Sequence, residues 1–91
     1  MSNTNELGVF SAYTSKIDKD QQAAFDEALE GLVGVGYNPV AVSQQVVAGM
    51  NYHFFCNTKL ITARPRNGAA IVSIYKPLKG EAHITNIKTI S

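Results

Sequence analysis

Apolar and polar residues alternate with two different periods along this chain, and the helical period comes first. Asp18, with Gln21 three residues on, has the pattern of a capping box at a helix start. Glycines at positions 31, 34 and 36 and then Pro39 end the pattern. Between these signals, apolar residues recur at helical spacing and form one stripe: Ala24, Phe25, Ala28, Leu29, Leu32 and Val33. The pattern predicts one amphipathic helix from about residue 19 to 33.

The segments after this helix alternate with the period of two that is typical of strands. The predicted strands are residues 40–47, 51–62, 69–75 and 82–90. In the first of them, Val40, Val42 and Val46 fall on one face. Residues 64–68 end in Asn-Gly and predict a turn, and residues 76–81 predict a second, longer hairpin loop.

This order of elements predicts an α+β fold. Residues 7–14 are expected to form a short N-terminal strand or an extended arm, and the helix and the strands come after it. We expect one domain over residues 1–91, with a four- to five-stranded antiparallel sheet wrapped across one α-helix. A chain of 91 residues with 45% hydrophobic residues can bury one core, and its charged fraction of 16% argues against disorder.

The turn between the first two predicted strands is apolar. Turns between strands normally carry Gly, Asn, Asp or Pro, whereas this one reads Gln45-Val46-Val47-Ala48-Gly49. Apolar side chains at the tip of a hairpin lack an internal surface to pack against, so we expect a partner to cover them. The alternative is that both valines continue a buried strand and that Gly49 marks a bulge.

The same turn resembles the QxVxG hairpin of the cystatins, the inhibitors of papain-like cysteine proteases. The match lies at Gln45, Val47 and Gly49, and the Asn-Tyr pair at residues 51–52 is similar to the residues after the motif in that family. The predicted order of helix and strands is also the cystatin order, so the resemblance covers about residues 7–90. With no disulfide and no leader, the chain resembles the stefin branch more than the secreted branch.

The resemblance implies a wedge of three segments that fills the groove of a papain-like protease without being cut. It implies these protease-binding residues: Leu7, Gly8, Gln45, Val46, Val47, Ala48, Gly49, Pro77 and Leu78. Leu7 would enter a substrate pocket, Gly8 would let the arm bend, and Gln45 would hold the hairpin shape. Pro77 and Leu78 stand where secreted cystatins have Pro-Trp, and this chain has no Trp. We expect a reversible competitive inhibitor; the alternative is a cystatin-shaped interaction or small-ligand-binding module without inhibitory activity.

The remaining chemistry-bearing residues do not indicate an enzyme. Cys56 is the only cysteine, and His53 and His83 are the only histidines. His53 and Cys56 are three residues apart along a predicted strand, so their side chains point to opposite faces. Cys56 shares its parity with apolar neighbours and is expected to be buried. We therefore expect no catalysis, no metal site and no cofactor.

Charge is unevenly distributed, although the net charge is only +1. Residues 1–30 hold six acids against two lysines, and residues 31–91 hold six basic residues against one acid. A basic sheet face could bind single-stranded nucleic acid through Tyr52, Phe54 or Tyr75. Tyr52 and Phe54 share a face with the predicted core, however, and the basic residues are scattered along the sequence. We therefore expect no nucleic-acid partner.

No segment is long and apolar enough to cross a membrane, and the N-terminus lacks the layout of a signal peptide. We expect a cytoplasmic protein without a membrane partner, although a secreted protein whose leader had been removed would look the same. The two β-branched residues at the hairpin tip predict strain in the turn. We therefore expect a monomer that forms a domain-swapped dimer after partial unfolding.

Overall fold

The structure, a computed structural model, describes residues 8–90 of the chain. Within them one helix, α1 (Lys19–Ala28), is followed by four strands: β1 (Val35–Val47), β2 (Gly49–Leu60), β3 (Asn67–Lys76) and β4 (His83–Ile90). Each strand pairs antiparallel with the next, in the order β1-β2-β3-β4. The predicted α+β class and the meander of four strands are confirmed. The arm at residues 8–14 forms two isolated β-bridges with the edge of β1, but it does not form a fifth strand.

Helix α1 begins where the capping box predicts. The side chain of Asp18 accepts a hydrogen bond from the backbone N–H of Gln21 at 2.8 Å, and Gln21 Oε1 accepts one from the backbone N–H of Asp18 at 2.9 Å. Two N–H groups that the first turn would leave without partners are thereby satisfied. No helix within residues 8–90 has the length and apolar character needed to cross a bilayer.

The helix ends five residues earlier than the apolar stripe predicts. After Ala28 the backbone bonds shorten to three-residue steps, with Glu30 N–H on the Glu27 carbonyl and Leu32 N–H on the Leu29 carbonyl. Gly31 then takes a φ of +82°, which ends regular helical geometry. The last two residues of the predicted stripe, Leu32 and Val33, therefore lie outside the helix and are exposed.

A bulge interrupts the alternation of β1. The pairing with β2 shifts between Pro39 and Ala41, so Val40 is an extra residue without a direct partner. Val42 and Val46 lie opposite Phe54 and Met50, on the side of the sheet that faces the helix. The period of two is a reliable guide to these two residues but does not fix the direction of Val40, because a bulge breaks it.

The turn predicted over residues 64–68 lies between β2 and β3 as expected, but its Asn-Gly pair is not part of the turn. Asn67 and Gly68 are the first residues of β3 and pair with Lys59 and Thr58, and the loop between β2 and β3 is residues 61–66. A Cβ atom added to Gly68 would lie 3.1 Å from Thr58 Oγ1, so this glycine allows a close approach between strands. Its role is packing in the sheet and not turn formation.

The core lies between α1 and the inner face of the sheet, with Phe54 at its centre. The ring of Phe25 meets the ring of Phe54 edge-on, with centroids 4.9 Å apart. Gln21 Nε2 donates to Gln44 Oε1 at 2.9 Å, which joins the helix to β1 at a partly buried position. The largest fully buried side chains are Phe54, Ile74, Val42, Val72 and Cys56.

Candidate functional site

Three segments that are far apart in sequence meet at one end of the sheet. The backbone N–H of Gly8 donates to the carbonyl oxygen of Val46 at 3.3 Å. The hydroxyl of Tyr75 donates to the carbonyl oxygen of Ala48. We call this region the hairpin end and define it as Gly8, residues 46–49 and residues 75–78.

The turn of the hairpin end contains one residue, Ala48, between the paired residues Val47 and Gly49. Gly49 takes a φ of +106°, and no residue other than glycine within residues 8–90 has a positive φ. The unusual backbone geometry therefore falls on Gly49, and the expected strain at the valines is not observed because both keep strand angles. The domain-swapped dimer that we expected from such strain stays a prediction.

The two valines are the last residues of β1, and their side chains are half-buried. Val46 lies opposite Met50 on the helix side of the sheet, and Val47 lies opposite Gly49 on the outer side. The expectation that both valines form an exposed tip is therefore wrong in part, because Ala48 is the only exposed residue among residues 46–48. The turn presents apolar side chains on both sides of a thin edge.

Gln45 joins the arm to the hairpin. Its Nε2 donates to the carbonyl oxygen of Gly8 at 3.1 Å, and its Oε1 accepts from Asn51 Nδ2 at 2.8 Å. The resemblance implied that Gln45 would hold the hairpin shape. Its side chain contacts Asn51 on the partner strand and a backbone group of the arm. Gly8 has a φ of +85°, a bend that favours glycine. Leu7 lies outside the described residues.

An aromatic stack, which the sequence did not predict, holds the next part of the arm against the outer face of the sheet. The rings of Phe10 and His53 lie nearly parallel, with centroids 4.1 Å apart. Beside them, Ser43 Oγ donates to the carbonyl oxygen of Ser11 at 2.5 Å, and the N–H of Gln44 donates to Ser11 Oγ at 3.0 Å. Burial lowers the pKa of His53 below its ordinary value. The arm is thus fixed by side chains as well as by backbone bonds.

The segment after β3 packs directly against the turn. A Cβ atom added to Gly49 would overlap the carbonyl oxygen of Lys76 and lie 3.0 Å from the Cα atom of Pro77. Next to this contact the side chain of Leu78 is 80% exposed. Glycine at position 49 is therefore required both by the backbone angle and by the approach of the second loop.

The helix fixes the far side of the same loop through one carboxylate. Glu27 Oε1 accepts from the backbone N–H of Ala82 at 2.7 Å and lies 3.6 Å from Lys76 Nζ. Lys76 Nζ also donates to the carbonyl oxygen of Gly80 at 2.5 Å. The loop over residues 77–82 is thus tied at both of its ends.

The structure brings together all the predicted protease-binding residues that it describes. Gly8, Gln45, the turn over residues 46–49, and Pro77 are linked by the contacts above, and Leu78 is adjacent. The sequence did not assign Phe10, His53 or Tyr75 to this arrangement, although all three contribute to it. The one available signal was that aromatic residues occur near the arm and the turn. Contacts between segments that are distant in sequence produce no local sequence pattern.

The cysteine and the nearby histidine are separated by the sheet. Cys56 is buried in the core, and burial raises the pKa of its thiol to about 12. His53 lies on the outer face with Phe10, as the parity of the strand predicted. Tyr52 and Phe54 are also buried, so they are not available to stack on nucleic-acid bases. Within residues 8–90, no three His, Cys, Asp or Glu side chains come together as a metal ion would require.

The Phe10–His53 stack predicts a pH dependence of stability. Because burial lowers the pKa of His53 in the folded state, the unfolded chain binds the proton more tightly. Stability should therefore fall as the pH drops below the ordinary histidine pKa of about 6.5 and level off below the folded-state pKa. Urea midpoints measured from about pH 7.5 to about pH 5 should fall more in the natural chain than in His53→Gln. Equal falls in both would contradict the burial of His53.

Comparison of the chain with models of protein families, with curated proteins and with solved structures finds no match.

Proposed function

We propose that this chain is a cystatin-like, reversible and competitive inhibitor of papain-like cysteine proteases. One observation carries the proposal, which is that the turn contacts both other segments. Gly49 lies against Lys76 and Pro77, and the carbonyl oxygen of Val46 accepts a hydrogen bond from Gly8. These three segments lie side by side and form one edge, which can enter a protease groove along the length of the groove. The exposed Ala48 and Leu78 supply apolar surface that binding would remove from water.

The preformed contacts of the hairpin end favour this proposal. Gln45 fixes Gly8, and the hydroxyl of Tyr75 fixes the turn at Ala48, before any partner arrives. A binding edge that is already ordered loses less conformational entropy when it enters a groove. The same bonds hold the turn in one geometry, so a nucleophile would meet a rigid segment whose chain reverses at Ala48 and Gly49 and does not continue in the extended form of a substrate.

The decisive experiment is a papain assay with the purified chain. We expect reversible inhibition that is competitive with substrate, and mass spectrometry should show that the chain stays uncleaved after prolonged incubation. A trypsin-like serine protease is the specificity control and should keep its full activity. Absence of papain inhibition at micromolar concentrations would refute the proposal.

Val47→Asp tests the role of the turn. A charge placed in an apolar contact without a partner should weaken inhibition by about 2 kcal/mol, or about thirtyfold. Val47 is half-buried and not part of the core. The substitution should therefore reduce the free energy of unfolding much less than it weakens binding to the protease.

The matched control for this variant is Val33→Asp. It makes the same chemical change at a valine that is 86% exposed, in the loop that precedes β1. Inhibition constants and urea midpoints of the two variants should be compared. Equal inhibition by both variants would exclude Val47 from the protease contact. If Val47→Asp unfolds and Val33→Asp does not, Val47 stabilises the fold and is not a binding residue.

A second candidate function is the binding of a small ligand without inhibition. A concavity of about 500 Å³ at the other end of the sheet favours this alternative. Tyr37, Asn57, Thr58 and Lys59 contribute an aromatic ring, an amide, a hydroxyl and an ammonium group to its lining. Two results together would support this alternative: the chain does not inhibit papain, and Tyr37→Ala removes the binding of a small ligand.

A further inference from the structure

The end of the sheet opposite the hairpin end is formed by two neighbouring loops. Residues 29–34 lead from α1 into β1, and residues 61–66 join β2 to β3. The N–H of Ile61 donates to the carbonyl oxygen of Gly34 at 2.9 Å, so the loops lie side by side. Strand β2, with 12 residues, separates them from the hairpin end by about 40 Å. We call residues 29–34 and 61–66 the distal loops.

The distal loops expose large apolar side chains. Val33 is 86% exposed and Ile61 is 66% exposed, and both stand at loop positions where the sheet and helix do not cover them. Leu32 and Leu60 beside them are also exposed. These side chains are exposed because α1 ends before it covers this part of the sheet. Contiguous exposed apolar side chains at a protruding end are typical of an interaction surface.

Three cations lie at this apolar tip. Lys59, Arg64 and Arg66 flank or belong to the loop that carries Ile61, and all three are exposed. Two carboxylates oppose these cations: Glu30 lies within the distal loops, and Asp26 of α1 lines the same depression as Leu32 and Ile61. The basic residues that are scattered in the sequence are therefore partly gathered at one end by the fold. An apolar tip with a basic rim is complementary to a surface that is both anionic and able to admit apolar groups.

We propose that the distal loops bind the surface of a bilayer that contains anionic lipids. Val33 and Ile61 enter the headgroup region, and Lys59, Arg64 and Arg66 contact lipid phosphates and carboxylates. This proposal departs from the sequence-based expectation of no membrane partner. Attachment of this kind needs no membrane-spanning segment, since apolar insertion and charge together hold a protein at the surface.

Two other occupants fit the observations less well. A second copy joined through the same loops would bring the cations of both copies together, which is unfavourable. An acidic protein would need a cavity shaped for the protruding Val33 and Ile61, whereas a bilayer admits such side chains in any orientation about its normal. Attachment through the distal loops also leaves the hairpin end pointing away from the bilayer, so it does not depend on the proposed inhibition.

Tryptophan fluorescence offers a direct test, because the chain contains no Trp. Val33→Trp places one reporter in the distal loops, and Leu78→Trp places a matched reporter at the hairpin end, where the side chain is 80% exposed. Vesicles of phosphatidylcholine with phosphatidylserine should shift the emission of Val33→Trp to shorter wavelength and leave that of Leu78→Trp unchanged. Vesicles of phosphatidylcholine alone should bind at least about tenfold more weakly.

Flotation of unlabelled protein with the same vesicles separates charge from insertion. Val33→Ser with Ile61→Ser, and separately Arg64→Ser with Arg66→Ser, should each weaken binding by about tenfold or more. Leu78→Ser with Lys79→Ser removes an exposed apolar residue and a cation from the hairpin end, and it should bind normally. Absence of flotation by the natural chain, equal wavelength shifts in both tryptophan variants, or binding to polyglutamate in place of vesicles would each overturn the proposal.

Discussion

Gly49→Ala should lower the free energy of unfolding by about 3 kcal/mol, because it adds two costs at one position. A side chain at a φ of +106° costs about 1 kcal/mol or more. Its Cβ atom would also overlap the carbonyl oxygen of Lys76, and displacing that backbone adds about 2 kcal/mol. Urea unfolding measures the sum, and papain inhibition should weaken in parallel because the turn and the second loop would separate.

Gly34→Ala is the matched control for this prediction. Gly34 has a φ of +95°, close to that of Gly49, but a Cβ atom added there would meet no other atom within 4 Å. This variant should lose about 1 kcal/mol of stability and keep its inhibition. Equal losses of stability in Gly49→Ala and Gly34→Ala would show that the turn does not pack against residues 76–77.

Phe54→Ala should have the largest effect on stability of any single truncation, with a loss of about 4 kcal/mol. Phe54 is fully buried and meets the ring of Phe25, so its removal leaves a cavity at the junction of helix and sheet. The loss is a large part of the stability that a domain of this size normally has. Calorimetry or urea unfolding measures it.

Two variants keep the prediction at Phe54 testable. Phe54→Leu preserves most of the volume and should cost less than about 2 kcal/mol, so it remains measurable if Phe54→Ala does not fold. Phe55→Ala removes the same ring from the next residue of β2, which is only half-buried. A loss at Phe55 as large as that at Phe54 would contradict the placement of the core on the helix side of the sheet.

Local patterns in the sequence predicted the elements of the fold and most of their order. The Asp18–Gln21 capping box and the alternation of Tyr52, Phe54 and Cys56 depend on neighbouring residues, and the structure has both as predicted. The end of α1 was harder to predict, because the apolar stripe continues through Val33 although the backbone bonds change after Ala28. An apolar stripe indicates which residues can be buried, but it does not show where the helix ends.

Several of the other errors share a physical cause, because they depend on contacts between segments that are far apart in sequence. Gly68 reads as a turn residue, but its position is set by the close approach of Thr58 on the neighbouring strand. The bulge next to Pro39 and the stack of Phe10 on His53 are likewise set by partners far away in sequence. For the candidate site, the motif indicated Gly8, Gln45 and Gly49, while the side chains that hold the arm in place were not visible.

The arm also affects the behaviour of the protein in concentrated solution. Its residues Ser11 and Thr14 donate to carbonyl oxygens along the outer edge of β1, and Thr14 also accepts from that edge. Without the arm, residues 40–47 would form an open strand edge that contains β-branched residues and no charged residue. Such an edge readily pairs with strands of other molecules. Proteolytic trimming as far as Thr14 would therefore turn a protected edge into a starting point for aggregation.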